Sequence, residues 1–228
     1  MTDLIRSLPL NAEVERSART SFATRLQLTA KRTLDLFVAL VGLILVFPVL
    51  VLVGVLVRLD SPGPALFRQT RVGAGGRRFR IAKFRTMVDN AETLLAEDPA
   101  LRKLHQSNSF KLPVDVDPRV TRLGRFLRAT SLDELPQLWN VLVGDMSLVG
   151  ARPIEPAQVP RLYGEHQDYY LAMRPGLTGY WQVNGRSAVG DDDRVELDLH
   201  YLQHWSLWLD LRVMFKTLPA VLARRGAH

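Results

Sequence analysis

Cysteine is absent from this chain of 228 residues, which excludes disulfides and thiolate metal sites and permits a reducing compartment. Histidine is scarce: five occur, at positions 105, 166, 200, 204 and 228, and only His200 and His204 stand at helical spacing. That pair lacks the third ligand expected of a zinc enzyme. Acidic residues are the minority, 23 against 30 Lys and Arg, giving a net charge of +7 and a pI near 10.1. Such a balance favours polyanionic partners: nucleic acid, an anionic membrane surface or phosphorylated substrates. Glycine-rich nucleotide fingerprints are missing, because the stretch VGAGGRRF at 72–79 makes neither a Walker A motif nor G-x-G-x-x-G. Helix-turn-helix, zinc-finger and RNP aromatic patterns are missing too, so nucleic acid is not an expected partner. The length suits one domain with a proper core.

Against these absences stands one long apolar run. Leu34–Val57 carries no charge between Asp35 and Arg58, and matches the ~20 residues of a bilayer-spanning helix. It starts too late and runs too long for a signal peptide. Pro48 falls at its middle, where the missing N–H kinks or breaks a helix. Each half is then under ~20 Å, too short to cross a ~30 Å core. Basic residues flank both ends: Lys31 and Arg32 before, and Arg58, Arg68, Arg71, Arg77, Arg78, Arg80, Lys83 and Arg85 after. Positive charge marks the cytoplasmic side, and here it marks both ends. A helix that dips in, bends at Pro48 and returns satisfies both observations. A single kinked span remains the alternative.

Asp60-Ser-Pro-Gly-Pro64 is a turn cluster that ends the membrane element. The following segment predicts two short strands, around Leu66–Val72 and Phe79–Phe84, joined by a Gly73–Gly76 turn. From Arg68 to Arg85 it contains no acid. Its charges suit anionic lipid headgroups, and equally a diphosphate reached by Lys83 or Arg85.

Residues 121–153, TRLGRFLRATSLDELPQLWNVLVGDMSLVGARP, carry the chemistry. A short basic helix is predicted over Arg122–Arg128, with Thr130-Ser131 capping the next helix. Ser131-x-x-Glu134 fits a capping box, a purely structural reading. Alternatively Asp133 is itself the cap, with Pro136 inside the first turn. A helix N-terminus favours anions and can hold phosphate oxygens. An ionised Asp133 there is a competent nucleophile and a hard-oxygen ligand for Mg2+. Arg128 and Arg152 flank the Asp133–Glu134 pair and offset repulsion between carboxylate and diphosphate.

Six blocks in order extend this reading: KRTLDL, DSPGPALFRQTRVG, KFRTM, DPRVTRLGRFLRATSLDELPQLWNVLVGDMSLVGARP, MRPGLTGYWQVNGRS and LDLHYLQHWSLWLDL. From Lys31 to Pro219 the chain resembles the bacterial sugar transferases, the monotopic phosphoglycosyl transferases, in their small form. The resemblance implies Asp133 as nucleophile and Mg2+ ligand, Glu134 as its dyad partner, and Arg128 and Arg152 as phosphate-binding residues. Asp198 matches a further family acid without an assigned role. Two departures stand out. Phe47-Pro48 replaces the usual Ser-Pro at the membrane bend, and Gly150-Ala151-Arg152-Pro153 replaces Gly-Pro-Arg-Pro, which is expected to loosen the loop presenting Arg152.

The implied reaction moves a sugar 1-phosphate from a UDP-sugar to undecaprenyl phosphate, releasing UMP through a covalent aspartyl intermediate. A direct ternary-complex displacement and a basic membrane-surface scaffold are the alternatives. The expected fold is mostly α with a small β element: a monotopic membrane protein with a Pro-bent re-entrant helix and amphipathic interfacial helices. Residues 1–30 form a polar segment, 31–58 the membrane helix and 59–228 a catalytic domain on the cytoplasmic face of the bacterial inner membrane. Anionic lipid headgroups are an expected partner, and homo-oligomerisation stays open. The loop Arg174-Pro-Gly-Leu-Thr-Gly-Tyr-Trp is expected either to approach the substrate or to serve as a connecting turn. Arg194–Leu218 is predicted as one helix, with Leu197, Tyr201, Trp205, Trp208, Leu211 and Phe215 on a stripe that suits either core or headgroup layer.

Overall fold

The computed structural model describes residues 22–107, 112, 116–184 and 190–222. The first 21 residues of the polar segment, His228 and the Gly185–Ser187 end of one family block lie outside them.

Helix α1, Phe22–Asp60, takes up the apolar run and continues through Pro48. Its burial follows a three- and four-residue rhythm. Lys31, Asp35, Ala39, Val53 and Val57 are buried, while Phe37, Ile44, Leu45, Phe47, Leu52 and Leu59 are exposed. Gly42 lies against Leu138 and Gly54 against Phe84, so both halves of the helix rest on the rest of the chain. Its polar residues are anchors. Lys31 donates to Asp210 at 2.6 Å and to the Val149 carbonyl at 3.1 Å. Arg32 donates to the carbonyls of Val141 and Leu142 at 2.8 and 3.1 Å, and Asp35 accepts from Leu148 N at 3.0 Å. The two flanking cations expected to mark the cytoplasmic side are therefore tied to protein.

Strands β1, Leu66–Val72, and β2, Arg78–Phe84, pair antiparallel from Leu66↔Phe84 to Val72↔Arg78. The period-two pattern puts Phe79 and Ile81 inward and leaves Arg78 and Arg80 outside. Between the strands, Gly75 and Gly76 have φ of 65° and 77°, conformations glycine adopts without a Cβ clash. Helices α2, Ala91–Glu97, and α3, Pro99–Ser107, follow. Helix α4, Arg122–Thr130, is capped by Thr121, whose hydroxyl accepts from Gly124 N at 2.9 Å. Gly124 is required by packing, since a Cβ there would fall 2.0 Å from the Thr86 carbonyl oxygen.

Helix α5, Gln137–Val143, is pinned to the hairpin by Asn140, which accepts from Ala82 N and donates to Arg80 O, both at 2.9 Å. Strand β3, Ser147–Val149, pairs parallel with β4, Gly176–Thr178. Helices α6, Gln158–Tyr163, and α7, Gln167–Ala172, lie between those strands in sequence, and α8, Tyr180–Asn184, follows β4. The segment beginning at Arg174 thus contributes a strand and a helix rather than a plain turn.

The single helix expected over Arg194–Leu218 is two: α9, Asp191–Gln203, and α10, Leu207–Leu222. Ser206 starts the second, its hydroxyl accepting from Leu209 N at 3.2 Å. The break splits the expected stripe. Tyr201 is fully buried, whereas Trp208 and Phe215 are 60% and 70% exposed. A central core of Ala39, Phe79, Ile81, Val141, Met146 and Tyr201 joins α1, β2, α5 and α9.

Candidate active site

The Asp133–Glu134 pair does not cap a helix. It lies on a 3-10 turn, Leu132–Glu134, between α4 and α5. Ser131 closes α4 in the left-handed conformation, φ 57°, with its N–H on the carbonyls of Arg128 and Leu127. That conformation turns the chain back sharply, so the Ser131 side chain makes no cap bond and the expected capping box is not formed. Helix α5 begins beyond Pro136.

The two carboxylates meet different surroundings. Glu134 accepts from Lys83 at 2.6 Å and from Arg152 at 2.9 Å. Burial alone would raise its pKa, but Arg152 and Lys83 reverse this and hold it well below the usual carboxylate range. Asp133 is only 8% exposed and forms no hydrogen bond or ion pair among the described residues. Burial first, and the Glu134 charge second, push its carboxyl up to about 6, against the opposing pull of Lys83, Arg128 and Arg152.

Arg128 donates from Nε to Thr86 Oγ1 at 2.9 Å and sits within reach of the Asp133 charge. Behind it, Arg119 and Asp117 form a two-bond pair at 2.9 Å. Arg152 is presented by a loop tied on both sides: Ala151 O accepts from Gly176 N at 2.8 Å, and Ile154 N donates to Tyr170 OH at 3.2 Å. Both anchors are made with alanine at position 151.

Two expected site residues lie elsewhere. Arg85 is buried at the C-terminal end of α1, donating to the carbonyls of Val57, Ser61 and Pro62. Val57 lies in the last turn of α1 and Ser61 and Pro62 just beyond it, so the guanidinium supplies donors where the helix runs out of its own. Asp198 is buried on α9 and accepts from Tyr163 OH at 2.7 Å. Its pKa is pushed up to about 7, mainly by burial.

A cavity of about 210 Å³ opens beside the dyad, lined by Glu134 and not by Asp133. Lys83, Glu134 and Arg152 line it, together with Arg71, Arg161 and Arg194. Sequence reasoning did not single out the last three. Arg71 was one cation in a basic run, and Arg194 was read only as a helix start. Among the described residues no group of three or more His, Cys, Asp or Glu is placed to hold a metal. Within the dyad, Asp133 is the carboxylate with no bonded partner among the described residues, and it would suit Mg2+ bound through one carboxylate and substrate phosphate oxygens.

A family described as bacterial sugar transferase matches residues 26–224. A protein of Erwinia amylovora named UDP-galactose-lipid carrier transferase is 47% identical over 202 residues, covering 87% of this chain and 41% of its own length. A Salmonella typhimurium protein named undecaprenyl-phosphate galactose phosphotransferase is also 47% identical over 202 residues, with the same shares. The chain therefore spans about two-fifths of the length of these relatives. It covers more of a Caulobacter vibrioides protein named UDP-glucose:undecaprenyl-phosphate glucose-1-phosphate transferase, 72% of that chain at 43% identity.

Proposed function

Because the chain belongs to the bacterial sugar transferase family, we propose that it transfers a sugar 1-phosphate from a UDP-sugar to undecaprenyl phosphate, as the first membrane step of surface-glycan synthesis. The observation carrying this reading is the contrast within the dyad. Glu134 is occupied by two cations, while Asp133 is buried, unpaired and raised to about 6. A carboxylate with that pKa is ionised at neutral pH and not neutralised by a bonded partner, as a nucleophile requires.

In the proposed step, an Asp133 oxygen attacks the β-phosphorus of the UDP-sugar. The bond from that phosphorus to the bridging oxygen breaks, and UMP leaves with the electron pair. The lipid phosphate then attacks the same phosphorus and frees Asp133. Glu134 fixes Lys83 and Arg152 beside the transferring phosphoryl, and Arg128 adds positive charge from the α4 side. Mg2+ held by Asp133 and the substrate phosphates would supply further charge neutralisation.

The proposed docking on one membrane face is supported by α1. Its contacts run from Lys31 to Val57, about 39 Å of contour, all against one catalytic domain. A helix crossing the bilayer upright could not keep both halves on a domain that stays outside. A Pro48 bend that returns α1 to the cytoplasmic face of the inner membrane accommodates both. The exposed Phe37, Ile44, Leu45 and Phe47 then face lipid, with Trp208 and Phe215 in the headgroup layer.

The test is UMP release from a panel of UDP-sugars with purified protein, Mg2+ and undecaprenyl phosphate. Turnover with one sugar that disappears in Asp133→Asn is the expected result. Turnover that survives the substitution would remove Asp133 as nucleophile.

A further inference from the structure

The cavity beside Glu134 contains more donors than its partners can use. Arg194 is 7% exposed, lines the cavity, and has neither Nε nor Nη2 bonded. Gln137, 2% exposed, lines it with a partnerless amide nitrogen. Arg71, whose Nη2 donates to Gln69 Oε1, adds a buried, unbonded Nε, with Glu155 3.7 Å from its Nη1. Burying a guanidinium costs several kcal/mol unless an anion or acceptor compensates. Among the described residues these donor atoms have no bonded acceptor, and an anionic ligand in the cavity would supply one.

Those cations also crowd one another. After burial, which contributes most to lowering the Arg71 pKa, both Arg152 and Arg194 lower it further, opposed by Glu155 and Tyr170. Like charges held together in a cavity await a multivalent anion. Arg152 meanwhile joins this group to Glu134, so the site continues from the dyad.

Resting on the transfer reading above, we propose that Arg194 and Arg71 form a second phosphate station, which holds the phosphate of the departing nucleotide. The Lys83–Arg152 pair serves the transferring phosphoryl, and the second station serves the leaving group one phosphate away. No residue of α1 lines the cavity. Its wall is set with arginines rather than with apolar side chains of the membrane helix, which suits a nucleotide phosphate better than a polyprenyl phosphate with its apolar tail.

Arg194 is held in place from behind. Its guanidinium stacks over Trp181 at 4.8 Å from the ring centroid. Asp198, one helical turn along α9, is fixed by Tyr163 OH at 2.7 Å, with its other oxygen unbonded and Arg194 close enough to stabilise its charge. Asp198 is thus a positioning residue, acting through Arg194 rather than on substrate.

Equilibrium binding of UMP to the purified full chain tests this, alongside a short-chain, soluble polyprenyl phosphate. Arg194→Gln is expected to weaken UMP about ten- to hundred-fold, with Arg194→Lys in between and lipid-phosphate affinity unchanged. Asp198→Asn is expected to weaken UMP several-fold, and to raise KM for the UDP-sugar more than it lowers kcat. The retained lipid-phosphate affinity shows that the variants are folded. Equal UMP affinity in wild type and Arg194→Gln would overturn the inference, even with UMP still released from UDP-sugar. A loss confined to polyprenyl phosphate would overturn the nucleotide assignment. If no UDP-sugar yields UMP yet UMP binding still depends on Arg194, the station stands and the transfer reading fails.

Discussion

Asp133 and Glu134 are neighbours on one turn, yet they ionise in separate pH ranges. Arg152 and Lys83 keep Glu134 charged far into acid, whereas Asp133 is raised to about 6 by burial and by Glu134 itself. Without divalent cation, kcat/KM for the UDP-sugar is expected to fall on an acidic limb near pH 6. Glu134→Gln should move that limb to lower pH, because the substitution removes a charge that opposes Asp133 ionisation. It should also cost activity, since Lys83 and Arg152 lose their shared partner. The raised folded pKa makes Asp133 ionisation unfavourable to folding. Its stabilising contribution is complete below the unfolded value and is lost as pH rises through about 6. Asp133→Asn should therefore stabilise the detergent-solubilised protein at pH 7.5 by on the order of 2 kcal/mol, a rise of several degrees in Tm. The adjacent acid pair was legible in the sequence, but not this division of labour, which depends on Lys83, 51 residues away. Arg85 shows the converse: its place in a basic run concealed that it satisfies the carbonyls ending α1.

At the scale of elements, local patterns were legible and non-local pairings were not. The hairpin was legible as two short strands around a glycine turn, and α4 as a short basic helix that runs two residues past the expected Arg128. The parallel β3–β4 pair joins residues 29 apart through Ser147↔Gly176, a pairing no local period announces. The break between α9 and α10 rested on Ser206, a cap signal lost inside an otherwise continuous stripe. Two contacts give element-scale tests. Gly124→Ala would drive a Cβ into the Thr86 carbonyl and displace Thr86 from Arg128, so a Tm loss and weakened activity are expected together. Asp210→Asn would leave the buried Lys31 charge with neutral acceptors only, at a cost of about 3 kcal/mol in thermal unfolding.

For the whole molecule, the decisive feature is that α1 keeps both halves on one domain. Composition alone left a kinked span and a returning helix open. The buried rhythm of Lys31, Asp35, Ala39, Val53 and Val57 favours the second. The absence of native cysteine makes this directly testable. Single cysteines introduced as Leu26→Cys and Leu59→Cys, at exposed positions near either end of α1, should both react with an impermeant maleimide only from the cytoplasmic side. Labelling from opposite faces would establish a span instead.

The central claim is that Asp133 carries the phospho-sugar covalently. Its most direct test supplies a UDP-sugar labelled at the β-phosphorus, with Mg2+ and no lipid acceptor. UMP release of at most one equivalent is expected, with label retained on the peptide containing Asp133 and absent from Asp133→Asn. UMP released only when undecaprenyl phosphate is present, with no label on protein, would contradict it.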